Sequence, residues 1–268
     1  MRVIISTLLF FSSLALQAQS DTAFRLIRII KTDVIDFAVD NLDNLYLFSS
    51  SNQLKKLNAS GDSIAVYNDV KKYGKATYID VSNPLRVLLY YRDFLTIVVL
   101  DRLLNIRSVI DLRKSNILQV NAIGLSYDNN IWLYDESNSK LKKIDDQGRL
   151  LLETPDFRQL FGDAPSPQTI FDHDGFVYMY DSVKGVYVFD YYGSLKNKIL
   201  ITGWKDFRVA GKYIYGLVSD TLQRYQINTF RTDYQKLVPP LWPVTSLGFT
   251  PTRLYGLKKD AIEIYSIH

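Results

Sequence analysis

Apolar residues in this chain alternate with polar ones or come in bursts of four to seven, separated by short runs of Asp, Asn, Ser and Gly. That is the pattern of strands and tight turns; an amphipathic helix would repeat its apolar positions every three or four residues. The bursts recur in order. Residues 44–64, NLYLFSSSNQLKKLNASGDSI, are nearly rewritten at 130–150 as NIWLYDESNSKLKKIDDQGRL. An aliphatic–aromatic pair marks the unit at Leu45-Tyr46, Leu89-Tyr90, Ile131-Trp132, Val177-Tyr178, Ile214-Tyr215 and Leu254-Tyr255, with steps of 44, 42, 46, 37 and 40 residues between the aromatics. A period near 40 residues with several short strands in each is the signature of a β-propeller blade.

Four strands can be drawn within a copy: Ile35–Val39, Leu45–Ser49, Gln53–Leu57 and Ser63–Tyr67 in the first, and Ala122–Ser126, Asn130–Tyr134, Leu141–Ile144 and Leu150–Glu153 in the third. Polar turns (DNLDN, SYDNN, DHDG, AGK, TPT) join the first two strands. Gly61, Gly148 and Gly193 sit between the third and fourth, where a hairpin needs positive φ. In the shared Leu-Lys-Lys, Leu54 and Leu57 are expected to face a neighbouring sheet and the lysines solvent. The last copy lacks a fourth strand, while FRLIRIIKT (24–32) is a strand with no copy of its own. The expected fold is therefore all-β: a six-bladed propeller closed by strand exchange between the N- and C-termini, which removes two exposed sheet edges. Five blades with an outlying sheet is the alternative.

The units DNLDNLYLFSSSNQLKKLNASGDSI and SYDNNIWLYDESNSKLKKIDDQGRL resemble blades of six-bladed propellers of the NHL and TolB-like group. The resemblance spans nearly the whole chain after the N-terminal segment. It implies the fold and not an activity, because propellers serve as scaffolds, binders, lyases and lactonases alike.

The first residues, MRVIISTLLFFSSLALQAQS, read as a secretory signal peptide: Arg2, an apolar core from Val3 to Leu16, and a small-residue cleavage site. The expected division is a signal peptide over 1–18 and a single propeller domain over 19–268. The segment ALQAQ resembles exported proteins of the Bacteroidota. The expected location is the periplasm or the outer membrane, with no stable membrane span once the signal is removed. With no cysteine, disulfides, thiolate metal sites and a Cys nucleophile are excluded. A formal charge of +4, spread along the chain, argues against a nucleic-acid partner.

Candidate chemistry is sparse. Aligning the copies places Asp36, Asp80, Gly124, Phe171, Arg208 and Gly248 around the central channel, with Asp36, Asp80 and Arg208 as candidate ligand-binding residues at its mouth. A register shift of one would swap the whole set. His173, in DHDG, reads as a turn residue, since adjacent strand residues point to opposite faces and Asp172, His173 and Asp174 cannot converge on a metal. No nucleophile elbow, phosphate loop or H-E-x-x-H is present. Neither a catalytic residue nor a cofactor or metal is assigned.

The long connection ETPDFRQLFGDAPSPQT (153–169) predicts a short helix over Asp156–Phe161, with Thr154 as cap and Pro155 at its first position. Phe157, Phe161, Trp204, Leu241 and Trp242 fall in connections between blades and make a candidate partner-binding rim. The same residues could instead plug the gaps between blades. The expected function is a non-enzymatic, protein-binding or scaffold module of the cell envelope whose partner is an envelope protein or complex. The alternative is a small-ligand binder, or a lyase- or lactonase-like enzyme, acting at the channel mouth.

Overall fold

The structure is a computed structural model that describes residues 24–68, 70–237, 239 and 241–267. The expected signal peptide and His268 lie outside them. The described chain opens with β1 (Phe24–Lys31). Blade 1 is β2 (Val34–Val39), β3 (Leu45–Ser49), β4 (Leu54–Leu57) and β5 (Ser63–Tyr67). Blade 2 is β6 (Tyr78–Asn83), β7 (Arg86–Tyr91), β8 (Thr96–Asp101) and β9 (Ile106–Asp111). Blade 3 is β10 (Val120–Leu125), β11 (Ile131–Asp135), β12 (Lys140–Ile144) and β13 (Leu150–Glu153). Blade 4 is β14 (Thr169–His173), β15 (Phe176–Asp181), β16 (Gly185–Asp190) and β17 (Leu195–Ile199). Blade 5 is β18 (Lys205–Ala210), β19 (Tyr213–Val218), β20 (Thr221–Gln226) and β21 (Arg231–Lys236). Blade 6 is β22 (Ser246–Phe249), β23 (Arg253–Leu257) and β24 (Ala261–Ile267), and its fourth strand is β1, antiparallel to β24. Each blade is a four-stranded antiparallel meander, and the fold is a six-bladed β-propeller.

The first strands of the blades, β2, β6, β10, β14, β18 and β22, contact one another in turn, and β22 meets β2, so they ring a common axis. The core is correspondingly divided into six wedges, one in each gap between blades. Alternation along each second strand feeds two of them. Leu45 and Leu47 pack toward blade 6, while Tyr46 and Phe48 pack toward blade 2. Ile131 and Leu133 likewise face blade 2, and Trp132 and Tyr134 face blade 4. A sheet buried on both faces must be apolar at every position, which explains the uninterrupted bursts in the sequence.

Polar clamps tie the wedges. Asp43, in the turn between β2 and β3, accepts from Tyr255 Oη (2.6 Å) and Thr250 Oγ1 (3.0 Å) and so joins blade 1 to blade 6. Asp172 of blade 4 accepts from Trp132 Nε1 (3.2 Å), Ser126 Oγ (3.0 Å) and the Tyr127 amide (3.2 Å) of blade 3, and from Tyr191 Oη (3.0 Å). DHDG is thus more than a turn: its first aspartate holds two blades together.

The lysines of the Leu-Lys-Lys repeats correct the solvent-facing expectation. Lys55 is exposed, but Lys56, Lys142 and Lys143 are buried. Lys56 donates to the Arg102 carbonyl (3.1 Å) and lies over the Tyr46 ring. Lys142 pairs with the buried Asp135 (2.7 Å), and Lys143 pairs with Asp128 (2.5 Å) while lying over Trp132. The third strand of a blade is also covered by its neighbour, so its lysines thread their aliphatic stems into a wedge and end on a carboxylate, a carbonyl or a ring.

The predicted short helix is α2 (Phe157–Phe161), which follows α1 (Val70–Tyr73). Its cap is Asp156, which accepts from the Arg158 amide at 2.8 Å; Thr154 instead accepts from the Leu141 amide at 3.1 Å.

Close approach of the inner strands requires a residue without a side chain at Gly124, where an added Cβ would stand 2.5 Å from the Ile170 carbonyl oxygen on β14. Because the obstacle is backbone, it cannot rotate away. Gly124→Ala should therefore destabilise the fold by about 2 kcal/mol through overpacking. That corresponds to a fall of roughly 4–8 °C in the melting midpoint, read by circular dichroism; an unchanged midpoint would contradict the packing described.

Candidate functional site

An axial cavity of about 360 Å³ opens among the ends of the inner strands, framed by the turns between first and second strands. Its walls include Phe37, Tyr78, Phe171 and Phe249, and its polar side chains include Asp80, His173 and Arg208. The volume lies in the range of small-molecule pockets.

The backbone register shows which channel positions are equivalent. The six marker aromatics pair with Ala38, Tyr78, Gly124, Phe171, Arg208 and Gly248. Four of these match the sequence alignment. Asp36 and Asp80 do not: Asp36 pairs with Phe48 and Asp80 with Leu88, two residues before and two after the equivalent positions. The two carboxylates are therefore offset by four residues, about 13 Å of strand. Asp80 and Arg208 line the axial cavity, whereas Asp36 lines a separate cleft with Lys75, Thr77 and Arg92. The three candidate residues do not converge.

Two groups missing from the sequence reading belong to the channel. Asp206, two residues before Arg208, accepts from Ser246 Oγ (3.0 Å) and the Leu247 amide (3.0 Å), bridging blades 5 and 6. His173 is the last residue of the inner strand β14 and lines the cavity, with Nε2 2.7 Å from the Gly211 carbonyl. The strand reaches one residue further than the DHDG turn suggests, which puts the imidazole at the mouth.

The acids are held by amide donors. Asp80 accepts from the Ser82 amide (2.8 Å) and from the Leu125 amide of blade 3 (2.7 Å). Asp36 accepts from the Phe37 amide (2.8 Å). Burial raises the carboxyls of Asp36, Asp80 and Asp206 above their ordinary value, opposed by these hydrogen bonds and by the field of Arg208. Burial and then the charge of Asp80 push the Tyr78 phenol up in the same way.

Arg208 stands differently. Its Nη1 donates to the Phe207 carbonyl (3.0 Å) and its guanidinium lies over the Phe171 ring, 5.4 Å from the centroid. Among the described residues no carboxylate comes within salt-bridge distance of it.

The candidate rim is largely core. Phe157, Trp204 and Leu241 are buried, and Phe161 and Trp242 are half-buried against the wedges. Phe157 stacks on Phe189 at 5.4 Å. Trp204 sits on Gly216, and its backbone amide accepts no side chain but donates to Tyr180 Oη at 2.8 Å. These residues fill the openings of the gaps between blades, so the rim as first drawn offers a partner little surface. Exposed apolar side chains stand instead on the turns that frame the cavity or adjoin it: Leu42 (62%), Leu85 (62%), Tyr127 (65%) and Phe176 (38%). They were missed because isolated apolar residues inside polar turns carry no periodic signal.

Two outcomes test this geometry. Trp204→Ala should lower stability by about 3–5 kcal/mol, as for a core aromatic, where a surface residue would give almost no change; chemical denaturation reads the difference. Asp36→Asn should raise the melting point at pH 7.5, and the gain should shrink toward zero near pH 4. A carboxyl held above its ordinary value of 3.8 by burial weakens the fold while ionised and ceases to do so as pH falls through its folded value. An unchanged or lower melting point at pH 7.5 would show that attraction to Arg208 outweighs burial.

No protein-family model and no curated protein sequence matches the chain. Solved structures do. Virginiamycin B lyase from Staphylococcus aureus superposes with a TM-score of 0.64 at 12% identity, covering 91% of this chain and 100% of that one. PorZ, a bacterial surface component of the type-IX secretion system of Porphyromonas gingivalis, gives 0.57 at 14% identity over 88% of this chain and 31% of that one. BamB from Moraxella catarrhalis gives 0.50 at 14% identity over 91% and 73%. At these identities the likeness establishes the propeller fold.

Proposed function

We propose that this chain is an exported, non-enzymatic β-propeller that binds another protein of the cell envelope, and that the contact is made by the face carrying the cavity mouth. The observation that carries this reading is the set of exposed apolar side chains at Leu42, Leu85, Tyr127 and Phe176, on the successive turns of blades 1 to 4. Polar turn tips would serve a free surface better. Apolar tips on rigid two-strand supports bring contact area at low entropy cost. Tyr127 is further stiffened by stacking on Tyr191 at 4.2 Å.

The same geometry favours binding over catalysis. The channel acids accept hydrogen bonds from backbone amides, and the His173 nitrogen facing Gly211 is engaged. Neither arrangement leaves a free acid–base pair beside the cavity. Export is supported by the signal-like pattern of residues 1–18 and by the absence of cysteine, and the likeness to a bacterial surface component is compatible with it.

The test is a cross-linked pull-down of the tagged protein from the envelope of its source, compared with the triple variant Leu42→Ser/Leu85→Ser/Tyr127→Ser. Exposed substitutions of this kind leave stability nearly unchanged. One partner should be captured in stoichiometric amount by the parent and about 10-fold less by the variant at an equal melting point. Equal capture by both would remove this face from consideration. No capture by the parent would move the function to a small ligand at the channel.

A further inference from the structure

The axial cavity holds one strong donor group whose bonding capacity is mostly unused. A guanidinium offers five N–H donors in a planar fork. Arg208 directs one to the Phe207 carbonyl, and it is half-buried in the cavity wall over Phe171. The cavity's acids are committed elsewhere. Asp80 has one oxygen on the Ser82 amide and the other on the Leu125 amide. Asp40 accepts from the Leu42 and Asn44 amides, from Asn44 Nδ2 and from Tyr46 Oη, all at 2.8–3.0 Å. Asp172 is the four-donor clamp between blades 3 and 4. Each carboxylate at the cavity is thus a structural acceptor, and the fork of Arg208 is left facing the space.

We propose that the axial cavity binds a small monocarboxylate with a flat apolar body, its two oxygens on the guanidinium of Arg208 and its body against Phe37, Phe171 and Phe249. Two oxygens in one plane match the fork, and paired N–H···O bonds of this kind are both strong and orienting. The aromatic walls favour a flat apolar group. The surrounding charge restricts the class further. Asp36, Asp80 and Asp206 all feel the field of Arg208. Together they oppose a second negative charge, so a monoanion whose charge sits directly on the fork is accepted and a dianion such as phosphate is not.

This inference is independent of the protein partner proposed above: it concerns the cavity, whereas that reading concerns the turn tips around it. The experiment uses the full mature chain and three probes of nearly equal shape, phenylacetate, phenylacetamide and phenethylamine, with inorganic phosphate as a fourth. Binding is read by titration calorimetry and by the shift in melting point. Phenylacetate should bind at least about 10-fold more tightly than the amide or the amine, as expected for loss of a charge-assisted pair. Phosphate should give no shift. Arg208→Met should abolish the preference for the acid, and Arg208→Lys should weaken it, because an ammonium lacks the fork. Equal binding of acid and amide, preference for the amine, or undiminished phenylacetate binding by folded Arg208→Met would each overturn the proposal. So would absence of any phenylacetate binding to the parent together with loss of stability in Arg208→Met, since the arginine would then be a counter-charge for the channel acids. Any of these results leaves partner capture by the turn tips as a separate observation.

Discussion

Every sheet in this molecule is apolar on both faces, and that constraint governs the rest. A single blade with Leu45 and Leu47 on one side and Tyr46 and Phe48 on the other has no soluble face to present. It needs a neighbour on each side, and so does that neighbour, until the last blade meets the first. A closed ring is the arrangement in which no such face is left over. The wedge between blades 6 and 1 draws its residues from both ends of the described chain, Phe37 and Leu45 from one and Tyr255 and Ile264 from the other. β1 paired on β24 and the Asp43 bonds to Tyr255 and Thr250 hold that junction by backbone and by side chain.

Closure also determines what the axis can do. The inner strands are pressed together where the residues are small, as at Gly124 and Gly248, and kept apart where they are large, as at Phe171 and Arg208. The cavity follows from this unequal ring. Its polar groups serve the blades first: Asp80 ties blade 2 to blade 3, Asp206 ties blade 5 to blade 6, and Asp172 ties blade 4 to blade 3. Arg208 has no such duty toward another blade, which is why it stands out chemically.

The architecture was legible because its signals repeat. One aromatic per blade, a glycine of positive φ at Gly61, Gly148 and Gly193, and unbroken apolar strands recur often enough to identify the blade. The site was less legible for a specific reason. Irregular pairing between Val34 and Asp36, between Asp80 and Asn83, and between Lys205 and Arg208 shifts each inner strand by its own amount. Equal spacing from the marker therefore does not mean equal height along the axis, and Asp36 and Asp80 were aligned although they lie at different levels. The rim failed differently: an aromatic in a loop reads alike whether it faces solvent or fills the mouth of a wedge, and Trp204 and Phe157 fill wedges. The lysines at 56, 142 and 143 misled because charge suggests exposure, while a long stem lets the charge reach a partner from inside.

The two faces of the ring differ in what they can offer. Connections between blades carry large aromatics, but these are drawn into the gaps to finish the wedges, and a side chain that finishes a wedge is withdrawn from any partner. Turns between first and second strands are short, and their aspartates are occupied by neighbouring amides and aromatic donors. Apolar residues at their tips cannot reach a wedge, so they stay outside. Exposure at Leu42, Leu85 and Tyr127 is therefore a consequence of turn geometry that the core does not demand, on the same side as the one arginine that no blade requires. That coincidence of an apolar collar and an uncommitted fork makes this face the place where the ring can bind something other than itself.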